Sequence, residues 1–180
     1  MFKKRIILTG KAASGKDHAR KILQESSYNY GVSYTTRPPR DEEVEGEDYF
    51  FISKENFQDM EAQDLWYEFV EFNGWFYGTT KEQFYGGCNV FIMTPKGLSH
   101  LSEKDRNESL VIYFNVDEIT RRTRMNQRKG NADSVERRLE ADVIDFKDFK
   151  NFDIEISEKY YTKEDLLNII TDYIKPITYV

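Results

Sequence analysis

Two glycines and a lysine, Gly10, Gly15 and Lys16, lie between a short aliphatic run and a helical pattern, at the spacing G-x-x-x-x-G-K of a phosphate-binding loop. The glycines let backbone N–H groups turn inward around a phosphate, the helix N-terminus adds its dipole, and the lysine gives the β and γ phosphates a compact positive charge. An ordinary turn containing glycine and lysine is the alternative, but the flanking strand and helix favour the loop. We therefore predict that ATP contacts Gly10, Lys11, Ala12, Ala13, Ser14, Gly15, Lys16 and Asp17.

The residue after Lys16 departs from the loop pattern, which places a serine or threonine hydroxyl there to bind Mg²⁺. This chain has Asp17 instead. Phosphates repel a carboxylate so close to them unless a cation lies between, so Asp17 is a predicted ligand of Mg²⁺. The alternative is an acidic residue in a first helical turn, which stabilises the helix through its dipole.

A second anion site is predicted at residues 33–40, where Arg37 and Arg40 flank a pair of prolines. The prolines stiffen the backbone, so that both guanidinium groups project from one rigid segment. Such a pair suits a phosphate monoester that carries two charges. An exposed basic loop is the alternative.

Charge, cysteine content and hydropathy restrict the class of protein. The 180 residues carry 26 Lys and Arg against 32 Asp and Glu, a net charge of −6. An acidic chain is a poor non-specific binder of nucleic acid or membrane surfaces, so neither partner is expected. The single cysteine excludes an intramolecular disulfide and a cysteine-based zinc cluster. No apolar run approaches about 18 residues and no signal-peptide core follows Met1, so we expect a soluble cytoplasmic protein.

Short aliphatic runs that end at turn residues alternate with helical patterns, which predicts an α/β fold with a parallel, doubly wound sheet. The predicted strands are residues 5–9, 90–93, 110–114 and 152–156, and the predicted helices are residues 16–25, 96–103, 117–129, 131–150 and 163–174.

The segment 30–88 interrupts this alternation with aromatic residues, prolines and turn signals. A strand is predicted over residues 48–53 and a short helix over 55–62. Strands at 66–72 and 75–77 flank Asn73 and Gly74, a strong hairpin signal. We expect a small, mostly antiparallel subdomain here.

Three longer motifs give the chain a family resemblance. The patterns S-x-T-T-R-x-P-R, E-V-x-G-x-D-Y-x-F and E-x-x-x-x-x-G-x-x-Y-G-T occur at residues 33–40, 43–51 and 68–79. With the phosphate loop before them, they resemble the substrate-binding signature of guanylate kinases over about residues 5–175. The resemblance implies one domain, residues 1–180, with a P-loop NTPase core (1–32, 89–125 and 140–180), an inserted subdomain that binds the nucleoside monophosphate (33–88) and a helical lid (126–139).

The resemblance also implies a role for each matching residue. Ser33 would face guanine O6 and Glu68 would accept hydrogen bonds from N1–H and the 2-amino group, while Thr79 and Thr94 would line the same pocket. The residues implied to hold the monophosphate are Arg37, Arg40, Tyr49 and Tyr77. The residues implied to stabilise the transferring phosphoryl group are Lys16, Arg124, Arg128 and Arg138. Arg121, Arg122 and Arg137 are assigned to a charged helix face.

Glu68 is supported by chemistry apart from the resemblance. Guanine offers two adjacent donors, and an ionised carboxylate accepts at both oxygens. Adenine has an acceptor at N1 and no group at position 2, so it would leave the carboxylate unpaired. A site built this way rejects the wrong base by about a factor of 10⁴. The alternative for Glu68 is a solvent-facing residue of a strand.

The chain departs from the family where a D-x-D pattern normally ends the strand after the inserted subdomain. Ile92 and Thr94 stand at those positions, and Ala13 replaces the central glycine of the phosphate loop. The predicted activity is Mg²⁺-dependent transfer of the ATP γ-phosphoryl group to GMP or dGMP by a monomer or homodimer. The alternatives are an inert GMP-binding module and a related kinase whose acceptor is another deoxynucleoside monophosphate or ribose 1,5-bisphosphate.

Overall fold

Four parallel strands form the central sheet of the computed structural model, which describes residues 3–127 and 134–174. Their spatial order is β6 (Val90–Ile92), β1 (Arg5–Gly10), β7 (Ser109–Phe114) and β8 (Ile154–Ile156). The three pairs are parallel because these aliphatic runs are joined by helical crossovers. The predicted α/β fold with a parallel sheet is confirmed.

Helices cover both faces of this sheet. Ile6 and Leu8 of β1 face one apolar cluster, whereas Ile7 between them faces another, and β7 repeats this alternation about Val111. The helices in the described ranges are α1 (Lys16–Glu25), α2 (Lys54–Ala62), α3 (Lys81–Tyr85), α4 (Pro95–Leu98), α5 (Glu103–Asn107), α6 (Glu118–Gln127), α7 (Val135–Asp145) and α8 (Lys163–Thr171). None of these is long and apolar enough to cross a membrane.

A second, mixed sheet is built by the inserted segment. Its spatial order is β3 (Phe50–Phe51), β2 (Tyr34–Thr35), β5 (Trp75–Thr80) and β4 (Trp66–Phe72). The β2–β3 pair is parallel and the other two pairs are antiparallel. The predicted hairpin is confirmed, and both of its turn residues, Asn73 and Gly74, have positive φ (60° and 77°).

Several predicted elements are shorter than the sequence pattern indicates. The elements expected over 90–93, 152–156 and 163–174 are Val90–Ile92, Ile154–Ile156 and Lys163–Thr171. The strand expected over 48–53 is only Phe50–Phe51. The helix expected over 96–103 is split into α4 and α5, because Ser102 caps a new helix by accepting a hydrogen bond from the Asp105 N–H. The helix expected over 131–150 ends at Asp145, and Phe146 then stacks on Tyr113 with ring centroids 5.5 Å apart.

Candidate active site

The phosphate loop joins the end of β1 to the start of α1 with three left-handed residues. Their φ angles are 152° at Gly10, 58° at Ala13 and 106° at Gly15. A side chain at Gly10 would place its Cβ 2.6 Å from the Phe114 carbonyl oxygen, so only glycine fits. Ala13 has no such freedom, and the left-handed conformation costs an L-residue roughly 1–2 kcal/mol.

Lys16 lies inside the loop that it follows. Its Nζ donates hydrogen bonds to the carbonyl oxygens of Gly10 and Lys11 at 2.7 and 2.9 Å. The ammonium group is therefore fixed at the position where the loop closes and where the sequence predicts the ATP phosphates.

The loop carbonyls also accept hydrogen bonds from residues far along the chain. These bonds fix the orientation of the loop's peptide groups. The donors are Arg121 to Ala12, Arg124 to Ala13, and the Tyr161 hydroxyl to Gly15, at 3.3, 3.1 and 3.0 Å.

A cavity of about 200 Å³ lies between the phosphate loop and the second sheet. The predicted residues that line it are Gly10, Ala12, Lys16, Ser33, Tyr49, Glu68, Tyr77 and Thr94. The structure thus brings the loop lysine together with residues predicted to bind the base of the acceptor nucleotide and residues predicted to bind its phosphate. Lining residues not predicted as contacts from the sequence are Tyr30, Val70, Phe72, Gly78, Ile92, Met93, Asp142, Asp145 and Phe146.

Glu68 is buried at one end of this cavity, with 7% of its surface exposed. The hairpin register places it opposite Thr79, whose hydroxyl donates to Glu68 Oε1 at 2.9 Å. A side chain at Gly97 would bring its Cβ within 2.8 Å of Glu68 Oε2, so glycine leaves room for the carboxylate. Burial raises the pKa of Glu68 to about 7, and the Thr79 bond offsets part of that rise.

This raised pKa predicts a pH dependence of guanine binding. Guanine donors favour the ionised carboxylate, and below about pH 7 the free protein must first lose a proton. We expect the Kd for GMP, measured by calorimetry, to rise up to about tenfold for each unit below pH 7 and to level off above about pH 8.

The matched control is Glu68→Gln. The phosphate of GMP titrates in the same way with both proteins, but the variant has no carboxyl group at position 68 that could titrate. An identical pH profile in both proteins would contradict the assignment. Because the folded-state pKa lies above the ordinary value of 4.5, the stability linked to this proton is complete below about pH 4.5 and is lost as the pH rises through 7.

The two predicted monophosphate arginines are held together by Glu43. Arg37 donates to both carboxylate oxygens of Glu43 at 2.8 and 2.9 Å, and Arg40 donates from its guanidinium at 2.9 Å and its backbone N–H at 2.8 Å. Arg37 is 2% exposed, so the alternative of an exposed basic loop does not describe it. Glu43 is the first residue of the motif at residues 43–51, and the sequence analysis predicted no role for it.

Two tyrosines that line the cavity, Tyr49 and Tyr77, lie close to the predicted monophosphate arginines. The rings of Tyr49 and Tyr77 lie 6.0 Å apart, and Arg37 lies over Tyr49. Burial raises the pKa of Tyr77, and the charges of Arg37, Arg40 and Arg138 lower it in part. Arg138 of α7 is therefore within electrostatic reach of the predicted monophosphate site.

Arg124 lies on the other side of the phosphate loop. Besides Ala13, it donates to the Lys159 carbonyl oxygen at 2.6 Å. It borders a cleft of about 550 Å³ that is lined by Ala13, Gly15, Asp17, His18, Glu42, Arg124, Gln127, Lys159, Tyr160 and Tyr161. Arg128, the remaining predicted catalytic arginine, lies outside the described residues.

Asp17 is exposed in the first turn of α1, between this cleft and the arginine end of the acceptor site. Burial raises the pKa of Tyr49, and the charge of Asp17 adds to that rise, so the carboxylate acts on the monophosphate side as well. The described residues hold no group of three His, Cys, Asp or Glu side chains that could bind a metal alone. One exposed carboxylate still fits Mg²⁺ that takes its other ligands from phosphate and water.

Thr94 lines the cavity and also caps α4, since its hydroxyl accepts a hydrogen bond from the Gly97 N–H at 3.0 Å. Ile92, on the adjacent strand end, has no group that could bind a cation. The position of Thr94 is therefore fixed by local structure as well as by its place in the pocket.

Asp142 is the site residue that sequence reasoning missed most completely. It is 7% exposed, forms an ion pair with Arg121 at 2.6 Å and accepts from the Ala12 N–H. Arg121 had been assigned to a charged helix face and is 4% exposed. The available signal was the position of Asp142 three residues after Leu139, on the buried side of a helix.

Comparisons with known proteins identify the family and the fold. The family model described as guanylate kinase matches residues 2–175. The guanylate kinase of Nostoc sp. is 33% identical over 162 residues, covering 85% of this chain and 81% of the relative. That of Prochlorococcus marinus is 32% identical over 165 residues, covering 86% and 89%. The crystal structure of guanylate kinase from Anaplasma phagocytophilum shares the fold, with a TM-score of 0.74 at 20% identity, covering 98% of this chain and 88% of that one.

Proposed function

The chain belongs to the guanylate kinase family, whose members are nucleoside monophosphate kinases, and on that premise we propose that it transfers the γ-phosphoryl group of ATP to GMP or dGMP. An oxygen of the acceptor phosphate attacks the γ-phosphorus, the bond to the bridging oxygen of ADP breaks, and a nucleoside diphosphate forms. The observation that carries the proposal is the single cavity in which Lys16 of the phosphate loop and the buried Glu68 both lie.

The guanine base would occupy the end of the cavity at Glu68. The ionised carboxylate would accept from guanine N1–H and the 2-amino group, and Ser33 and Thr79 would complete the pocket. The apolar residues Val70 and Met93 line the same cavity and suit the faces of a flat purine ring.

The acceptor phosphate would lie at the end formed by Arg37, Arg40, Tyr49 and Tyr77. Glu43 holds both guanidinium groups in place, so that little rearrangement is needed when a phosphate binds. The buried Nε of Arg40 has no hydrogen-bond partner within the described residues, which leaves a donor for a phosphate oxygen.

ATP would place its phosphates in the loop and its nucleoside in the cleft bordered by Arg124 and Tyr161. Charge that develops on the transferring group would be stabilised by Lys16, Arg124 and Arg138, together with Arg128, which lies outside the described residues. Under this proposal the second sheet belongs to the acceptor subdomain, residues 33–88. The lid is proposed over residues 126–139, of which 128–133 lie outside the described residues.

Mg²⁺ bound with ATP would neutralise charge on the β and γ phosphates, and Asp17 is the residue proposed to support it. The carboxylate that the family carries at the end of the strand is replaced by apolar Ile92. Asp17 at the start of α1 supplies one negative group on the phosphate side instead. The support for Mg²⁺ would thus have moved from the strand to the loop helix.

We expect Asp17→Asn to reduce ATP turnover at about 1 mM Mg²⁺ by one to two powers of ten, because the substitution keeps size and removes charge. Raising Mg²⁺ should restore part of the rate. Calorimetry should show that the variant also needs a higher Mg²⁺ concentration than the wild type to bind a non-hydrolysable ATP analogue.

Asp17→Ser should be equally impaired, and Asp17→Ser with Ile92→Asp should regain activity, since the pair restores the family's arrangement. Full activity of Asp17→Asn at low Mg²⁺, with a loss of only about 0.3–1 kcal/mol in the free energy of unfolding, would leave Asp17 with the helix-dipole role alone.

The direct test of the function is formation of ADP from ATP by the purified protein with GMP, with and without a chelator of Mg²⁺. Release of ADP only when GMP and Mg²⁺ are both present supports the proposal. GMP binding without ADP formation would identify the chain as an inert binding module.

A further inference from the structure

Both backbone groups of Ala12 in the phosphate loop are held by one buried ion pair. The Ala12 N–H donates to the two carboxylate oxygens of Asp142 at 3.0 and 3.1 Å. The Ala12 carbonyl accepts from Arg121 at 3.3 Å, and the same guanidinium nitrogen lies 2.6 Å from Asp142. Arg121 is itself fixed by a bond from its Nε to the Val116 carbonyl. Helices α6 and α7 therefore clamp the loop at this residue.

The next residue of the loop is the one under strain. Ala13 has φ of 58°, where glycine would be favoured, and it is 7% exposed. It packs in a small apolar cluster with Met125 and Leu139, which belong to the same two helices. Strained residues persist only when their surroundings hold them in place. The ion pair acts directly on the peptide group that enters this alanine.

We propose that Asp142, acting through Arg121 and Ala12, is a positioning residue that holds the phosphate loop in its ATP-binding shape in spite of the alanine at position 13. The inference rests on the proposed function, in which this loop binds ATP. A glycine at position 13 would adopt the positive φ without support. With alanine there, the ion pair holds the loop in that conformation.

The proposal predicts a selective effect on the donor nucleotide. In Asp142→Ala the Ala12 N–H loses its acceptor and Ala13 is free to leave the left-handed region. The Kd and KM for ATP should rise about tenfold or more. Asp142 also lines the acceptor cavity, but the hydrogen bonds described for it go to Ala12 and Arg121. The Kd and KM for GMP should therefore change much less, by about threefold at most.

The decisive variant is the double substitution Asp142→Ala with Ala13→Gly. Glycine adopts the positive φ without help, so ATP affinity should return to within about threefold of the wild-type value. Ala13→Gly alone should change ATP affinity little, because the clamp already holds the loop.

Asp105→Asn is the matched control for the loss of a buried carboxylate. Asp105 is 5% exposed and accepts from Ser102, Tyr67 and Tyr85, away from the phosphate loop. It should lower Tm without changing the ratio of the ATP and GMP affinities. If Asp142→Ala does not fold, Asp142→Asn replaces it, since the amide keeps one acceptor for the Ala12 N–H. It should show the same selective loss of ATP affinity, by a smaller factor.

An Asp142→Ala protein with a lower Tm and unchanged ATP affinity would overturn the proposal, and so would a double variant that does not regain ATP affinity. ATP affinity is measured by calorimetry on each variant, so this test stands apart from turnover. A wild-type protein that binds ATP and transfers no phosphoryl group would contradict the proposed function and still permit the positioning test.

Discussion

Lys16→Met should lower kcat by about three powers of ten or more while the Kd for GMP stays within about threefold. The ammonium group is fixed inside the phosphate loop by the carbonyls of Gly10 and Lys11, on the side proposed for ATP. Methionine keeps most of the side-chain volume and removes the charge that would stabilise the transferring phosphoryl group. Steady-state kinetics gives kcat, and calorimetry gives the affinity for GMP.

Lys104→Met is the control for this prediction, since Lys104 is exposed on α5. It should have wild-type kinetics. Turnover by Lys16→Met at the wild-type rate would contradict the assignment of the loop as the donor site. A parallel loss of GMP affinity would show instead that Lys16 supports the acceptor pocket.

Glu68→Gln should lower kcat/KM for GMP by roughly 30-fold to 1000-fold, equivalent to about 2–4 kcal/mol, and should change the low rate with AMP little. The amide keeps the shape of the carboxylate but turns one acceptor into a donor, which must then face a donor of guanine. The buried position of Glu68 makes this mismatch costly, because water cannot replace the lost partner. The ratio of kcat/KM values for GMP and AMP measures the effect.

Glu71→Gln is the matched control, since Glu71 lies on the same strand and is exposed. It should keep the wild-type preference for GMP. A Glu68→Gln protein that still discriminates GMP from AMP as the wild type does would place guanine recognition elsewhere.

Local patterns predicted the parts of the fold that depend on local physics. The hairpin follows from Asn73 and Gly74, and the loop between β1 and α1 follows from Gly10 and Gly15, all of which adopt positive φ at low cost. The parallel sheet followed from aliphatic runs that can be buried on both faces. The predicted ends of elements were less accurate. At the end of α7, for example, Phe146 packs on Tyr113, which is a long-range contact that no local pattern encodes.

The site was predicted where a motif or the chemistry of a ligand specified it. Glu68 follows from the donors of guanine and from the family resemblance, and the structure places it in the lining of the same cavity as Lys16. Asp142 could not be found in this way, because it reaches Ala12 across 130 residues of chain. The ion pair of Arg37 with Glu43 was not predicted, because Glu43 stood in a motif with no assigned role.

ADP release measured with a panel of acceptors tests the central claim most directly. The panel comprises GMP, dGMP, AMP, dTMP and ribose 1,5-bisphosphate, each with ATP and Mg²⁺. The account predicts kcat/KM values for GMP or dGMP about 10³-fold to 10⁴-fold above that for AMP, and no comparable rate with dTMP or the sugar bisphosphate. Phosphorylation of AMP or dTMP as fast as GMP, or of ribose 1,5-bisphosphate in preference to GMP, would contradict it.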